Sequence, residues 1–255
     1  MYIDSHCHIN FPDFAGTLPE VFSLMQQNQV SHALCISVEL EKFPEIIALA
    51  EAHPHIYASV GVHPDHEACT EPSVAQLAAL AQHPKVVAIG ETGLDYYRLT
   101  GDLEWQRTRF RTHIRAARES GKPLVIHTRE AAADTLKLME EERAGEIGGV
   151  MHCFTESLAV AQAAMDMNFY ISFSGIVTFK NAGAIRDVAA HVPLERMLIE
   201  TDSPYLAPVP YRGKTNQPGY VKHVAEEIAR VKDVSVEEVG KITTQNFFQL
   251  FRHAA

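Results

Sequence analysis

The chain has 255 residues, of which 46% are apolar and 21% charged, and carries a formal net charge of −10. An apolar share of that size supports a large core and excludes disorder. The acidic balance excludes broad, sequence-independent grip on a duplex through a basic surface, which needs many Lys and Arg contacts. It leaves open a phosphodiester held by cations and a few local bases.

Short β-branched runs alternate with helical patterns from end to end. Strands are predicted at 2–8, 33–38, 56–62, 86–91, 123–127, 147–152, 169–174 and 197–202. Helices are predicted near 18–28, 41–52, 73–82, 102–120, 130–144, 157–167 and 181–190, with two closing helices at 218–231 and 235–250. Asp102, and Ser235 with Glu238 three residues on, read as helix N-caps. Eight strands, each followed by a helix, predict a (β/α)8 TIM barrel of the metal-dependent hydrolase type, for which about 250 residues is typical. A doubly wound sheet would carry a glycine-rich turn after its first strand, where this chain has Asn10-Phe11-Pro12-Asp13. No linker-like composition divides the sequence, so residues 1–255 are expected to form one barrel domain. Neither a leader nor a membrane span is expected. Cys7, Cys35, Cys69 and Cys153 show no pairing pattern, and a reducing cytoplasm is the expected location.

The candidate chemistry begins with His6-Cys7-His8. Two residues apart on a strand point the same way, about 6–7 Å apart, and neutral imidazole is the commonest transition-metal ligand. Glu91, His127, His152 and Asp202 each stand at the end of a later predicted strand. In a parallel barrel, chemistry gathers at those ends. A carboxylate there is costly to bury without a cation, so four imidazoles and two acids on one rim supply ligands for a pair of divalent ions. Asp4 and Glu200, one step deeper on the same faces, are expected to back the ligand imidazoles. Parity turns Cys7 and Cys153 away from the axis. His63, which closes the third strand, is expected to touch substrate or leaving group. Arg129 is the expected phosphate clamp, and Tyr96, beside Tyr97 and Arg98, offers a ring for a base. Lys180, Tyr205, Arg212 and Lys214 fall in later rim loops. His113 is expected to be solvated on its helix.

The runs Asp4-Ser5-His6-Cys7-His8, Val60-Gly61-Val62-His63-Pro64, Gly90-Glu91-Thr92-Gly93-Leu94-Asp95-Tyr96-Tyr97, Ile126-His127-Thr128-Arg129, Met151-His152-Cys153-Phe154 and Glu200-Thr201-Asp202-Ser203-Pro204-Tyr205 closely resemble the TatD family of metal-dependent deoxyribonucleases. The resemblance spans nearly the whole chain in order and spacing. It implies one or two divalent ions, with His6, His8, Glu91 and Asp202 on one, and Glu91, His127 and His152 on the other. Gln217 stands where family members often carry glutamate, which touches loop detail only.

The expected activity is therefore metal-dependent hydrolysis of DNA phosphodiesters, in single strands or at ends, with Asp202 and Glu91 catalytic. Zn, Mn, Fe or Mg would suit such mixed ligands and phosphate chemistry. The alternative is an amide or ester hydrolase such as a D-aminoacyl-tRNA deacylase, because the same ions activate water against carbonyl carbon. A non-catalytic metal-bound scaffold is the remaining class. Neither a membrane nor an obligate protein partner is expected.

Overall fold

The β-branched runs pair side by side. The computed structural model describes residues 1–254, and its eight parallel strands stand in sequence order: β1 (Tyr2–Cys7), β2 (Val30–Cys35), β3 (Ile56–Val60), β4 (Val86–Asp95), β5 (Leu124–Arg129), β6 (Gly149–Met151), β7 (Phe169–Phe173) and β8 (Met197–Ile199). Between and after them run α1 (Leu18–Gln27), α2 (Phe43–Ala52), α3 (Val74–Leu80), α4 (Glu104–Ser120), α5 (Ala132–Glu141), α6 (Leu158–Asp166), α7 (Gly183–His191), α8 (Val221–Lys232) and α9 (Val236–Leu250). This is the expected (β/α)8 barrel. Among the described residues no helix is long and apolar enough to cross a membrane.

Local chemistry sets the helix starts. The hydroxyls of Ser73, Ser157 and Ser235 accept from the N–H groups of Gln76, Val160 and Glu238, a cap worth about 1 kcal/mol each. Asp102 accepts from Glu104 N at 3.1 Å, just ahead of α4. Gly121, at φ +70°, ends α4 in the left-handed conformation that glycine adopts without strain.

Two apolar layers follow from strand alternation. Leu34, Ile36, Val87, Val125, Val150 and Leu198 pack together inside the barrel, and Phe247 and Phe251 from the C-terminal end of the chain join them. Each buried phenylalanine contributes about 1.5–3 kcal/mol, so this end of α9 helps to fill the interior. Ala33, Cys35, Val86, Ile126, Met151 and Ile171 belong to the layer shared with the helices.

The seam between first and last strands bears directly on the site. Cys7 pairs with Ser203 as an isolated parallel bridge. His8 N donates to Ser203 O at 2.8 Å, and Asp202 N to His6 O at 2.9 Å. Closing the barrel therefore sets both histidines of β1 beside Asp202.

Candidate metal centre

The six residues singled out by type and spacing do come together, though not all at strand ends. Glu91 lies inside β4, which runs on to Asp95, and His127 lies inside β5. The pairing of β4 with β5 shifts register between Ile89 and Thr92, next to Glu91. His8 and His152 lie one residue past their strands, and Asp202 three past β8. A cleft of about 570 Å³ is lined by His8, Glu91, His127, His152 and Asp202, with His6 fully buried beside them.

Glu91 is the hub. Its Oε2 lies 3.4 Å from His6 Nε2 and 4.0 Å from His8 Nε2. Its Oε1 lies 2.8 Å from His152 Nε2 and 3.3 Å from His127 Nδ1. Asp202 Oδ1 is 3.4 Å from His8 Nε2 and 3.6 Å from His6 Nε2. The His6 and His152 rings stack with centroids 3.9 Å apart. Burial works against the Glu91 carboxylate, but His152, His63, His6 and His127 outweigh it and hold the group well below the ordinary carboxylate range. Asp202 shifts the same way: His8, His6 and His152 more than offset its burial. Both shifts favour the ionised carboxylates that ligation requires. Burial, with His152 nearby, lowers His6 despite the pull of Glu91. At His152 and His63 burial is outweighed by Glu91 and the carboxylates behind their rings, which raise both. A bound cation would take the place of those protons.

Carboxylates stand behind several of these rings. Glu200 Oε1 accepts from His152 Nδ1 at 3.2 Å and from Cys153 N at 2.8 Å, as its position one step deeper suggested. Asp95 Oδ2 lies 3.1 Å from His127 Nε2, a partner that sequence reasoning missed. The signal was present, because Asp95 is four residues beyond Glu91 on one strand. Asp4 does not back an imidazole. The register shift between Asp4 and Cys7 breaks the strand parity, and the Asp4 carboxylate instead accepts from Thr201 N and Thr201 Oγ1.

Other expectations change for similar reasons. His63 and Arg129 line the cleft together with Arg98, Tyr205 and Phe11; Lys180, Arg212 and Lys214 are not among its lining residues. Tyr96 is not there either: its hydroxyl donates to Asp134 at 2.7 Å. The exposed ring is Tyr97, at 57%, with the Arg129 guanidinium 3.7 Å from its centre. Cys153, at φ +43°, is among the residues lining the cleft, and its thiol meets Ser174 Oγ at 3.2 Å. His113 is fully buried, not solvated. Its Nε2 accepts from Val62 N at 3.0 Å while Nδ1–H donates to Arg109 O at 2.8 Å. On the same face of α4, Arg109 donates to His63 O (2.9 Å) and Gln106 to Pro64 O (3.0 Å). Three side chains of one helix thus hold the backbone of 62–64.

The donor set fits divalent ions. His6 Nδ1 and Glu200 Oε2 are buried without a hydrogen-bond partner, and His152 Nε2 faces Glu91 Oε1 at 2.8 Å. Donor atoms of His6, His8 and Glu91 lie within 4.8 Å of one another, as do those of His6, His152 and Asp202, and of His63, Glu91 and His127. Imidazole and carboxylate in these proportions suit Zn and other first-row ions.

A (β/α)8 barrel whose strands and following loops converge imidazoles and acids on a shared carboxylate defines a metal-dependent hydrolase. The chain belongs to the TatD family: residues 3–252 match the family model described as TatD related DNase. It is 45% identical over 253 residues to the "uncharacterized metal-dependent hydrolase YcfH" of Escherichia coli K12, covering 98% of this chain and 95% of that one. It is 32% identical over 259 residues to the "3'-5' ssDNA/RNA exonuclease TatD" of Edwardsiella piscicida, covering 99% of this chain and 100% of that one. The crystal structure of YJJV, a TatD homolog from E. coli K12, superposes with a TM-score of 0.91 at 30% identity, over 98% of both chains.

Proposed function

We propose that this chain, as one barrel domain over residues 1–255, hydrolyses phosphodiester bonds of DNA in single strands or at strand ends, with one or two divalent ions (Zn, Mg or Mn) in the cleft. The observation that carries this is the pair of donor groups meeting at opposite oxygens of Glu91, beneath a rim of Arg98, Arg129 and Tyr205. A relative named for single-strand exonuclease activity, 32% identical, supports the same substrate class. His6, His8, Glu91, His127, His152 and Asp202 are the proposed ligands.

Divalent ions, when bound at such a centre, polarise a phosphoryl oxygen and lower the pKa of water. The remaining work falls to side chains. Asp202 begins ionised and its side chain is 16% exposed, against 4% for Glu91, so it is the ligand carboxylate better placed to meet incoming water. It takes the attacking water's proton and returns it to the departing oxygen. Glu91 holds the two imidazole groups in register. Arg129, stacked on Tyr97, presents its guanidinium to the phosphate. The rings of Tyr205 and Phe11, with centroids 6.4 Å apart, offer faces to an unpaired base. So few rim cations suit a strand or an end more than a long duplex. The four free thiols accord with a reducing cytoplasm.

The test is cleavage of an end-labelled single-stranded oligonucleotide by chelator-treated protein, with Zn²⁺, Mn²⁺ and Mg²⁺ restored in turn. Cleavage should return with at least one ion and vanish in Asp202→Asn. No cleavage with any ion, together with release of an amino acid from aminoacyl-tRNA, would replace this proposal with the ester-hydrolase alternative.

A further inference from the structure

Three imidazole nitrogens face the same oxygen of Glu91. Besides His152 Nε2 and His127 Nδ1, His63 Nε2 lies 3.3 Å from Oε1. Donor atoms that share one tetrahedral ion at about 2.0–2.1 Å lie roughly 3.3 Å from each other. His63 and His127 both keep that distance from Glu91, and donor atoms of all three residues fall within 4.8 Å of one another.

A second observation is independent of those distances. The far nitrogen of each ring is backed by a carboxylate: Asp65 for His63, Asp95 for His127 and Glu200 for His152. Such a carboxylate fixes the tautomer and orientation of a ligating histidine. The backbone of His63 is equally constrained, since its N–H donates to Val38 O and its carbonyl accepts from Arg109.

We propose that His63 is a ligand of the second ion, which it shares with Glu91 and His127, rather than a residue that only touches substrate. This rests on the proposed metal centre and goes beyond it by adding a ligand from the loop after β3. An imidazole-rich site of this kind takes a borderline first-row ion such as Zn²⁺ or Co²⁺ in preference to Mg²⁺, which favours oxygen donors. Asp65 then acts as a positioning residue, and because it also pairs with Arg98, it links this site to the phosphate rim.

The experiment titrates chelator-treated protein with Co²⁺, counts ions per chain and follows the visible spectrum, with thermal melts as a check on folding. Wild type should bind two ions. His63→Ala should keep the first and bind the second more than about 100-fold more weakly, beyond the roughly 10–100-fold that losing a residue behind a ligand costs; Asp65→Asn should weaken the same ion within that smaller range. Added imidazole should restore the second site in His63→Gly, and excess Mg²⁺ should not displace Co²⁺ from it in wild type. Unchanged Co²⁺ affinities in folded His63→Ala, with only KM raised, would overturn the proposal. Wild type binding a single ion would remove the second site and this proposal with it, while the one-ion form of the proposed centre would stand; wild type binding none would bring down the centre itself.

Discussion

Asp4 and Thr201, 197 residues apart in the chain, are joined through both carboxylate oxygens: Oδ1 accepts from Thr201 N at 2.8 Å and Oδ2 from Thr201 Oγ1 at 2.6 Å. The group is wholly buried and sits on the seam where β1 meets the segment after β8. Thr201 immediately precedes Asp202, so this contact fixes the backbone that aims a proposed ligand.

Asp4→Ala would leave a buried N–H and hydroxyl without their acceptor. The expected loss is about 3 kcal/mol, from unsatisfied donors costing about 1–3 kcal/mol each, or roughly 6–12 °C in melting temperature for a chain of this size. Metal affinity should fall with it. A melting temperature equal to wild type would show that the seam does not depend on this carboxylate.

Glu91→Gln preserves shape but removes the charge that both imidazole groups face. Ion content should drop below that of wild type, and kcat should fall by at least about 10³-fold, the upper range for losing one electrostatic partner in an active site. Elemental analysis beside steady-state kinetics checks both. Full ion content with normal turnover would remove Glu91 from its central role.

His113, which is not itself a proposed ligand, gives a pH signature of its own. Burial pushes its imidazole from the ordinary 6.5 down to about 4. Between those values the unfolded chain binds a proton that the folded chain refuses, so stability rises with pH across the window. This contribution is complete above pH 6.5 and lost as pH falls toward 4, roughly 3 kcal/mol in all. Urea unfolding at several pH values should show wild type losing stability on acidification faster than His113→Gln. Parallel curves would contradict the burial argument.

Tyr205, 55% exposed on the rim, should stack on a base. Tyr205→Ala is expected to raise KM for a single-stranded oligonucleotide about 10-fold, within the roughly 1–3 kcal/mol that one stacked base supplies, with kcat little changed. Tyr96→Phe should alter neither constant by more than about twofold, because its hydroxyl is engaged by Asp134. A KM for Tyr205→Ala equal to wild type would mean the wrong ring had been chosen.

Much of this centre was legible in the chain because ligand chemistry restricts residue type. His6, His8, Glu91, His127, His152 and Asp202 stood out as polar groups closing apolar runs, and the alternation of strand and helix placed them in a barrel. What stayed hidden depended on local departures from regular strand geometry. The irregular register of β1 redirects Asp4, and the extension of β4 delivers Asp95 behind His127. Strand parity cannot foresee such shifts, because one extra residue reverses every side chain beyond it. His113 was hidden for a different reason: a helical histidine gives no sign of whether its ring meets water or a neighbouring loop.

The contact between α4 and residues 62–64 has an evolutionary corollary. Gln106, Arg109 and His113 grip main-chain atoms, so the side chains of Val62 and Pro64 on either side of His63 can vary while the path that aims His63 is preserved, whereas exchanges on this buried helical face would disturb the cleft from outside. Variants selected for new substrates should therefore accumulate changes at exposed positions such as Tyr97 and Tyr205 and leave these three helical positions alone.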